Sequence, residues 1–432
     1  MILNSPYITG SLTVTGNIQA SGGITISGSI ASASFATTSS NSLTASSADN
    51  FVVRQNITAS NVLSTGNITA QTLIVSTISS SIVYSSGSNI FGCSLTNTQQ
   101  FTGSVSVTGS FNSQQDVTVN SINIGLGAGN VSTNTRVGAS ALSSNTTGAS
   151  NTAVGYSALR CNTTGADNAA VGYKALSANT IGSFNSAFGL FALTGNTTGD
   201  GNTAVGNSAL RCNTVGVNNA ALGFLALCAN TTGAQNQGFG RDALRNNTSG
   251  CYNTAMGNAA LSNNTIGNRN IAVGKYSLLG NISGGSNIAV GVYSLQCNTT
   301  GAENTAIGFC TLRNNTVSSN TAIGSLALSC NTTGVSNTSV GRAALRFNTT
   351  GCGNIAMGND ALELNTTGNN NTALGVIALA LNTTGSNNTA VGTCTLVANT
   401  ASNNTAVGFC ALRSNTTGTK NTATGFCALA SS

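Results

Sequence analysis

Histidine and tryptophan are absent from this 432-residue chain, proline occurs once, and only 8 residues are acidic against 14 basic. Without His, the commonest general base and the commonest metal ligand are both missing. The acids of the C-terminal part, Asp167, Asp200, Asp242, Glu303, Asp360 and Glu363, are scattered and form no obvious acid/base pair. The chain is therefore expected to be no enzyme and to carry no cofactor. Aromatics make up about 5 % of the residues, so a single thin core buries little apolar area per residue. No segment reaches membrane-spanning length, and the start Met1-Ile2-Leu3-Asn4-Ser5-Pro6 lacks the basic and apolar regions of an export signal.

What is present is a strict repeat. Gly138, Gly155, Gly172, Gly189 and Gly206 begin a series, mostly seventeen residues apart, that runs to Gly425. Four residues past each glycine stands Leu, from Leu142 to Leu429, and seven past it Asn, from Asn145 to Asn415. The unit reads N-T-A-V-G-x-x-A-L-x-x-N-T-T-G-x-x. Gly308 to Gly324 and Gly392 to Gly408 are sixteen apart, and in both the N-T-T-G turn is altered. A helix is excluded, because two glycines per unit cost roughly 0.5–1 kcal/mol each and the Asn and Thr add to that.

The pattern predicts an all-β chain: a parallel β-solenoid of about eighteen coils over residues 121–432, stacked in register at ~4.8 Å per coil. Two extended segments, N-T-A-V-G and x-A-L, are expected to be joined by Asn/Gly turns, with Asn ladders at the corners. In each coil Val and Leu are expected inside. The Ala positions, such as Ala153, Ala158 and Ala175, then face outward and offer a surface for packing three copies into a homotrimer. Residues 1–120 differ in kind. Segments such as Ile8-Thr9-Gly10-Ser11-Leu12-Thr13-Val14-Thr15-Gly16 predict a Ser/Thr/Gly-rich β-structured shaft.

The N-T-A-V-G-x-x-A-L unit resembles the β-roll repeats of trimeric autotransporter adhesin heads. It is similar, more closely, to N-T-A-x-G/A-L/N-T-T-G arrays of phage tail fibres and related virion proteins. The resemblance covers about residues 121–432, and the N-terminal T-G-S-L/T-V-T-G segments also resemble phage fibre proteins. It implies a structural fibre of a tailed-phage virion, assembled in the host cytoplasm. The fibre would join other tail proteins through residues 1–120 and present the solenoid to a glycan or protein of the host surface. Neither specific nucleic-acid binding nor membrane insertion is expected. A bacterial trimeric surface adhesin or appendage subunit is the alternative, and an ice-binding solenoid with Thr ranks a third.

Two variable columns are the candidate binding positions. Arg160, Arg211, Arg245, Arg313, Arg346 and Arg413 share the position after the Leu, giving an intermittent basic stripe on a chain of net charge +6. Tyr156 and Tyr173 stand just after the glycine, where Phe224, Phe309, Phe409 and Phe426 recur. The stripe reads either as a solvated face or as a surface for anionic glycan. The aromatics suit carbohydrate or packing between chains. Of twelve cysteines ten fall on three repeat columns, and no C-x-x-C occurs, which predicts free thiols and no zinc site. Gly125-Leu126-Gly127-Ala128-Gly129 is a near miss to a dinucleotide fingerprint and reads as the first turn of the solenoid.

Overall fold

The computed structural model describes residues 117–120 and 122–431, so the shaft expected over 1–120 lies outside the described residues apart from its last four. From β3 (Thr135–Val137) to β20 (Thr422–Thr424), eighteen strands of three residues follow one another, one per repeat. Each pairs in parallel with the same segment of its neighbours. Across β4 (Thr152–Val154) and β5 (Ala169–Val171), Thr152 faces Ala169 and Val154 faces Val171. The described chain is an all-β parallel solenoid with one coil per repeat. At its N-terminal side, β1 (Val117–Val119) and β2 (Ile122–Gly125) form an antiparallel pair, and β2 runs antiparallel to β3. That hairpin covers the edge β3 would otherwise present. The glycine-rich stretch after β2 is a short 3-10 turn, Ala128–Asn130, leading into the first coil.

The interior is filled by three kinds of side chain. Leu142 and each equivalent Leu as far as Leu412 are buried, as are Ala153 and its equivalents at the centre of the strands. Asn134 and Asn145 begin two further buried columns. Here the sequence-based expectation is corrected. The strand does alternate, but Ala points in, while Thr152 and Val154 point out and are partly exposed. The reason is width. In the strand Gln237–Phe239, Gly238 stands where Ala recurs, and a Cβ there would lie 3.2 Å from the Ala243 carbonyl oxygen and 3.4 Å from the Leu227 side chain. A methyl fits this gap and a Val does not. The Ala before each Leu, such as Ala158 and Ala175, is buried inside the coil as well. The Ala columns are therefore not available for packing between copies.

The x-A-L segment is also not extended. Ser157 and Leu159 have φ of 57° and 48°, and the same two positions are left-handed in the coils that follow, as at Leu176, Leu193 and Leu210. This segment is a tight corner whose backbone bonds to the next coil, Leu159 N–H to the Ala175 carbonyl at 3.0 Å and Cys161 N–H to Ser177 at 3.1 Å. A left-handed Leu costs roughly 1–2 kcal/mol. Full burial of its side chain returns ~1.5–3 kcal/mol, so the corner is sustained by what it buries.

The Asn columns hold the turns together. Asn162 Nδ2 donates to Asn145 Oδ1 of the preceding coil at 2.9 Å, and Asn168 Nδ2 donates to Asn151 Oδ1 at 3.1 Å. One carbonyl joins the two ladders, since Gly165 O accepts from both Asn151 Nδ2 and Asn162 Nδ2, each at 2.9 Å. Corner ladders of Asn were expected, and they are observed as buried, reciprocally satisfied amides.

The sixteen-residue repeats keep the strand register. Thr305 of β13 (Thr305–Ile307) still faces Thr321 of β14 (Thr321–Ile323), and Thr389 of β18 (Thr389–Val391) faces Thr405 of β19 (Thr405–Val407). The missing residue is absorbed in the turn, at a cost to both ladders: Asn320 and Asn404 Nδ2 donate to Asn315 and Asn399 Oδ1 of their own coil, each at 3.1 Å, and not to the ladder Asn before them. Asn315 Nδ2 donates to the Val317 carbonyl instead of reaching Asn298, and Asn399 Nδ2 donates to Ala401 instead of reaching Asn382. The buried Oδ1 atoms of Asn298 and Asn382 are left without a partner.

Candidate interaction surface

With Ala, Leu and Asn committed to the interior, function falls to the columns that point outward. On the strand face, the position after the buried Ala carries a ladder of exposed apolar side chains, among them Phe188, Leu222, Met256, Ile307, Ile323 and Met357. Thr or Ile fills most of the other outward positions, and Ile271, Ile288 and Ile355 are exposed there. Sequence reasoning missed this face, because it assigned these side chains to the core.

The aromatic column is real but presents edges. Tyr156 and Tyr173 stack with ring centroids 5.3 Å apart and planes 14° from parallel, and Tyr173 meets Phe191 edge-on at 5.4 Å. Rings stacked along the solenoid turn their faces to each other, so the open face that a sugar ring would cover is already taken. Tyr276 and Tyr293 form a second stack, with centroids 5.5 Å apart, one position further along the unit. Attention to the residue next to the glycine alone overlooked them. Cations cap several rings: Lys174 Nζ lies 5.4 Å from the Tyr173 centroid and Lys275 Nζ 4.9 Å from Tyr276.

The basic stripe is placed where the spacing predicts. Arg160, Arg211, Arg245, Arg313 and Arg413 are exposed and Arg346 is partly so. Ser, Thr, Cys, Gln, Glu, Leu, Ala and Val interrupt the column, so no two of these arginines occupy adjacent coils. Two pairs stand two coils apart, Arg211 with Arg245 and Arg313 with Arg346. Most acids nearby are already engaged. Asp242 lies 3.2 Å from Arg241 and 3.4 Å from Arg245, Asp360 lies 3.2 Å from Arg342, and Glu363 lies 3.7 Å from Arg346. Asp200 Oδ1 accepts from the Ser183 N–H at 2.7 Å. These carboxylates brace coils, and none is paired with a second carboxylate for acid/base work.

The described cysteines are free thiols. Burial pushes the Cys228 thiol above its ordinary range, with neighbouring Cys212 adding to the rise against the pull of Arg211 and Arg245. Burial likewise raises Cys310, and it raises Cys394, with neighbouring Cys410 adding to the rise. Such thiols are poor nucleophiles at neutral pH. Among the described residues no cluster of His, Cys, Asp or Glu is placed to hold a metal ion, and no helix is long and apolar enough to cross a membrane.

The solenoid thus offers an apolar strand face, a run of stacked aromatic edges and an interrupted basic column. No protein-family model matches the chain, and no curated protein matches it, so these surfaces are the ground on which its function is read.

Proposed function

We propose that the chain is a non-enzymatic structural fibre protein of a tailed-phage virion, a homotrimer that attaches to other tail proteins through residues 1–120 and presents its solenoid to the host surface. The observation that carries this reading is the division of labour within every coil. Core-forming columns are nearly invariant, while the columns after the glycine and after the Leu vary freely on an unchanging frame. A surface of that kind supports recognition without catalysis. The strand face supports the trimer. Phe188, Leu222, Met256 and Met357 are between 42 % and 51 % exposed in a single chain, and a continuous apolar ladder of that sort is suited to packing against its own copies. Ice binding requires a flat, exposed T-x-T array, and the turn glycine interrupts the Thr ranks on the N-T-T-G side.

Purified full-length protein tests the proposal. Light scattering should give a trimer, and the trimer should bind susceptible cells and compete with virions for adsorption. A stable monomer at micromolar concentration overturns the trimer, and a trimer that neither binds nor competes overturns the attachment role.

A further inference from the structure

Where small residues interrupt the basic column, one interruption opens a cleft. Arg313, Ser329 and Arg346 occupy one position in three successive coils, linked by the backbone bonds from Asn314 to Ser329 and from Cys330 to Arg346. The short Ser329 side chain leaves a gap between the two guanidiniums. A cleft of about 200 Å³ lies there, lined by Arg313, Asn314, Leu326, Ser329, Arg346 and Phe347 together with Cys310 and Cys330.

Both guanidiniums are held in place by neutral groups, and Arg346 by charge as well. Arg313 Nε donates to Gln296 Oε1 at 3.0 Å and its guanidinium stands 5.5 Å from the Tyr293 ring centroid. Arg346 lies 4.8 Å over Phe347 and reaches Glu363 at 3.7 Å. Arg313 forms no ion pair among the described residues, so one positive charge at the cleft is uncompensated. The comparable pair elsewhere, Arg211 and Arg245, differs in the residue between the arginines, Cys228 in place of Ser329, and in Asp242, which lies 3.4 Å from Arg245.

We propose that the cleft between Arg313 and Arg346 binds a single carboxylate-bearing sugar unit of a surface polysaccharide, which rests on the attachment role proposed above and gives it a ligand class. A guanidinium matches a planar carboxylate with two parallel hydrogen bonds. The volume is below the ~300–1,000 Å³ of sites for drug-sized ligands, which restricts the occupant to about one ring. The Asn314 amide and Ser329 hydroxyl face hydroxyl-rich chemistry, while Leu326 and Phe347 supply an apolar wall for the C–H face of the ring.

The test uses the full chain, the double variant Arg313→Ser/Arg346→Ser and the control double variant Arg211→Ser/Arg245→Ser. Serine occupies this column naturally at Ser329, so both doubles suit the coil. Calorimetric titration with oligogalacturonate, dextran sulfate and neutral dextran should show binding of the carboxylated oligomer. The Arg313/Arg346 double should weaken it by about tenfold or more, the control double by no more than about twofold. Absence of oligogalacturonate binding, equal losses in both doubles, or a preference for dextran sulfate would overturn the cleft. Cell adsorption measured in parallel separates the two claims. Oligogalacturonate binding without adsorption leaves the cleft and removes the attachment role, whereas adsorption undiminished in the Arg313/Arg346 double leaves attachment and removes the cleft.

Discussion

Asn162 and Asn145 sit seventeen residues apart and are joined by one amide hydrogen bond of 2.9 Å, Nδ2 to Oδ1, wholly inside the solenoid. Asn162 also donates to the Gly165 carbonyl of its own turn at 2.9 Å. Each Asn thus closes a corner and fastens its coil to the one before.

Replacing one member should therefore damage two coils. Asn196→Ala removes the donor to Asn179 Oδ1 and one of the two donors to the Gly199 carbonyl, leaving buried acceptors short of partners. At ~1–3 kcal/mol for each unsatisfied group, the expected loss is about 2–4 kcal/mol in denaturant melts. Asn196→Asp should cost more, because a buried carboxylate cannot donate and lies beside another acceptor.

The interrupted ladder gives the opposite prediction. Inserting one glycine after Val317 restores the seventeen-residue turn, lets Asn315 reach the orphaned Asn298 oxygen, and should raise stability by ~1–3 kcal/mol. A glycine inserted after Thr333, in a turn already complete, should lower it. An insertion after Val317 that fails to raise the melting temperature would show that Asn298 finds another donor.

Neighbouring strand positions should respond in opposite ways. Ala204→Val overfills the fully buried slot and should destabilise the chain by ~1–3 kcal/mol. Val205→Ala, on the outward side, should change the melting temperature of a single chain little and weaken self-association measured by sedimentation. In the same coils Leu227→Asp, with no partner for a buried charge, should cost several kcal/mol, whereas Arg211→Ser at an exposed position should cost little.

The thiols set an alkaline limit. Cys228, Cys310 and Cys394 hold their protons more tightly when folded than at the usual thiol value of 9.0. A raised folded value means the contribution is complete below the unfolded value and is lost as pH rises through the folded one. Stability should be level below about pH 9 on this account and decline above it, and a triple Cys→Ser variant should decline less. At pH 7 these thiols should react slowly with iodoacetamide.

The stack and its period were legible because Gly, Leu and Asn recur at fixed offsets, and the register of β13 with β14 shows that a short turn leaves the strands in step. The inward side of each strand was not legible. In Thr-Ala-Val the alternation is equally satisfied by either face, and the choice follows from a left-handed Leu that fills the width opposite. The Arg column could be counted off the repeat, but the cleft beside Ser329 depends on how side chains lie across three coils. The Tyr276 and Tyr293 stack was hidden because its column also holds Ser157, Asp242 and Ala259, and no single residue type marks it.

Both Asn ladders donate in one sense, from each coil toward the N-terminal neighbour, as from Asn162 to Asn145 and from Asn168 to Asn151. Backbone bonds of the strands run both ways, Thr152 N–H toward Asn168 and Gly155 N–H toward Val137, and their dipoles largely cancel. The amide dipoles do not cancel. They add into a polarised wire with its positive end toward β3, each link strengthening the next. At the two sixteen-residue coils both wires are cut, one at Asn298 and Asn382, the other where Asn320 and Asn404 donate to Asn315 and Asn399 of their own coil. The interior of the solenoid therefore has an electrical direction that its nearly uncharged composition conceals.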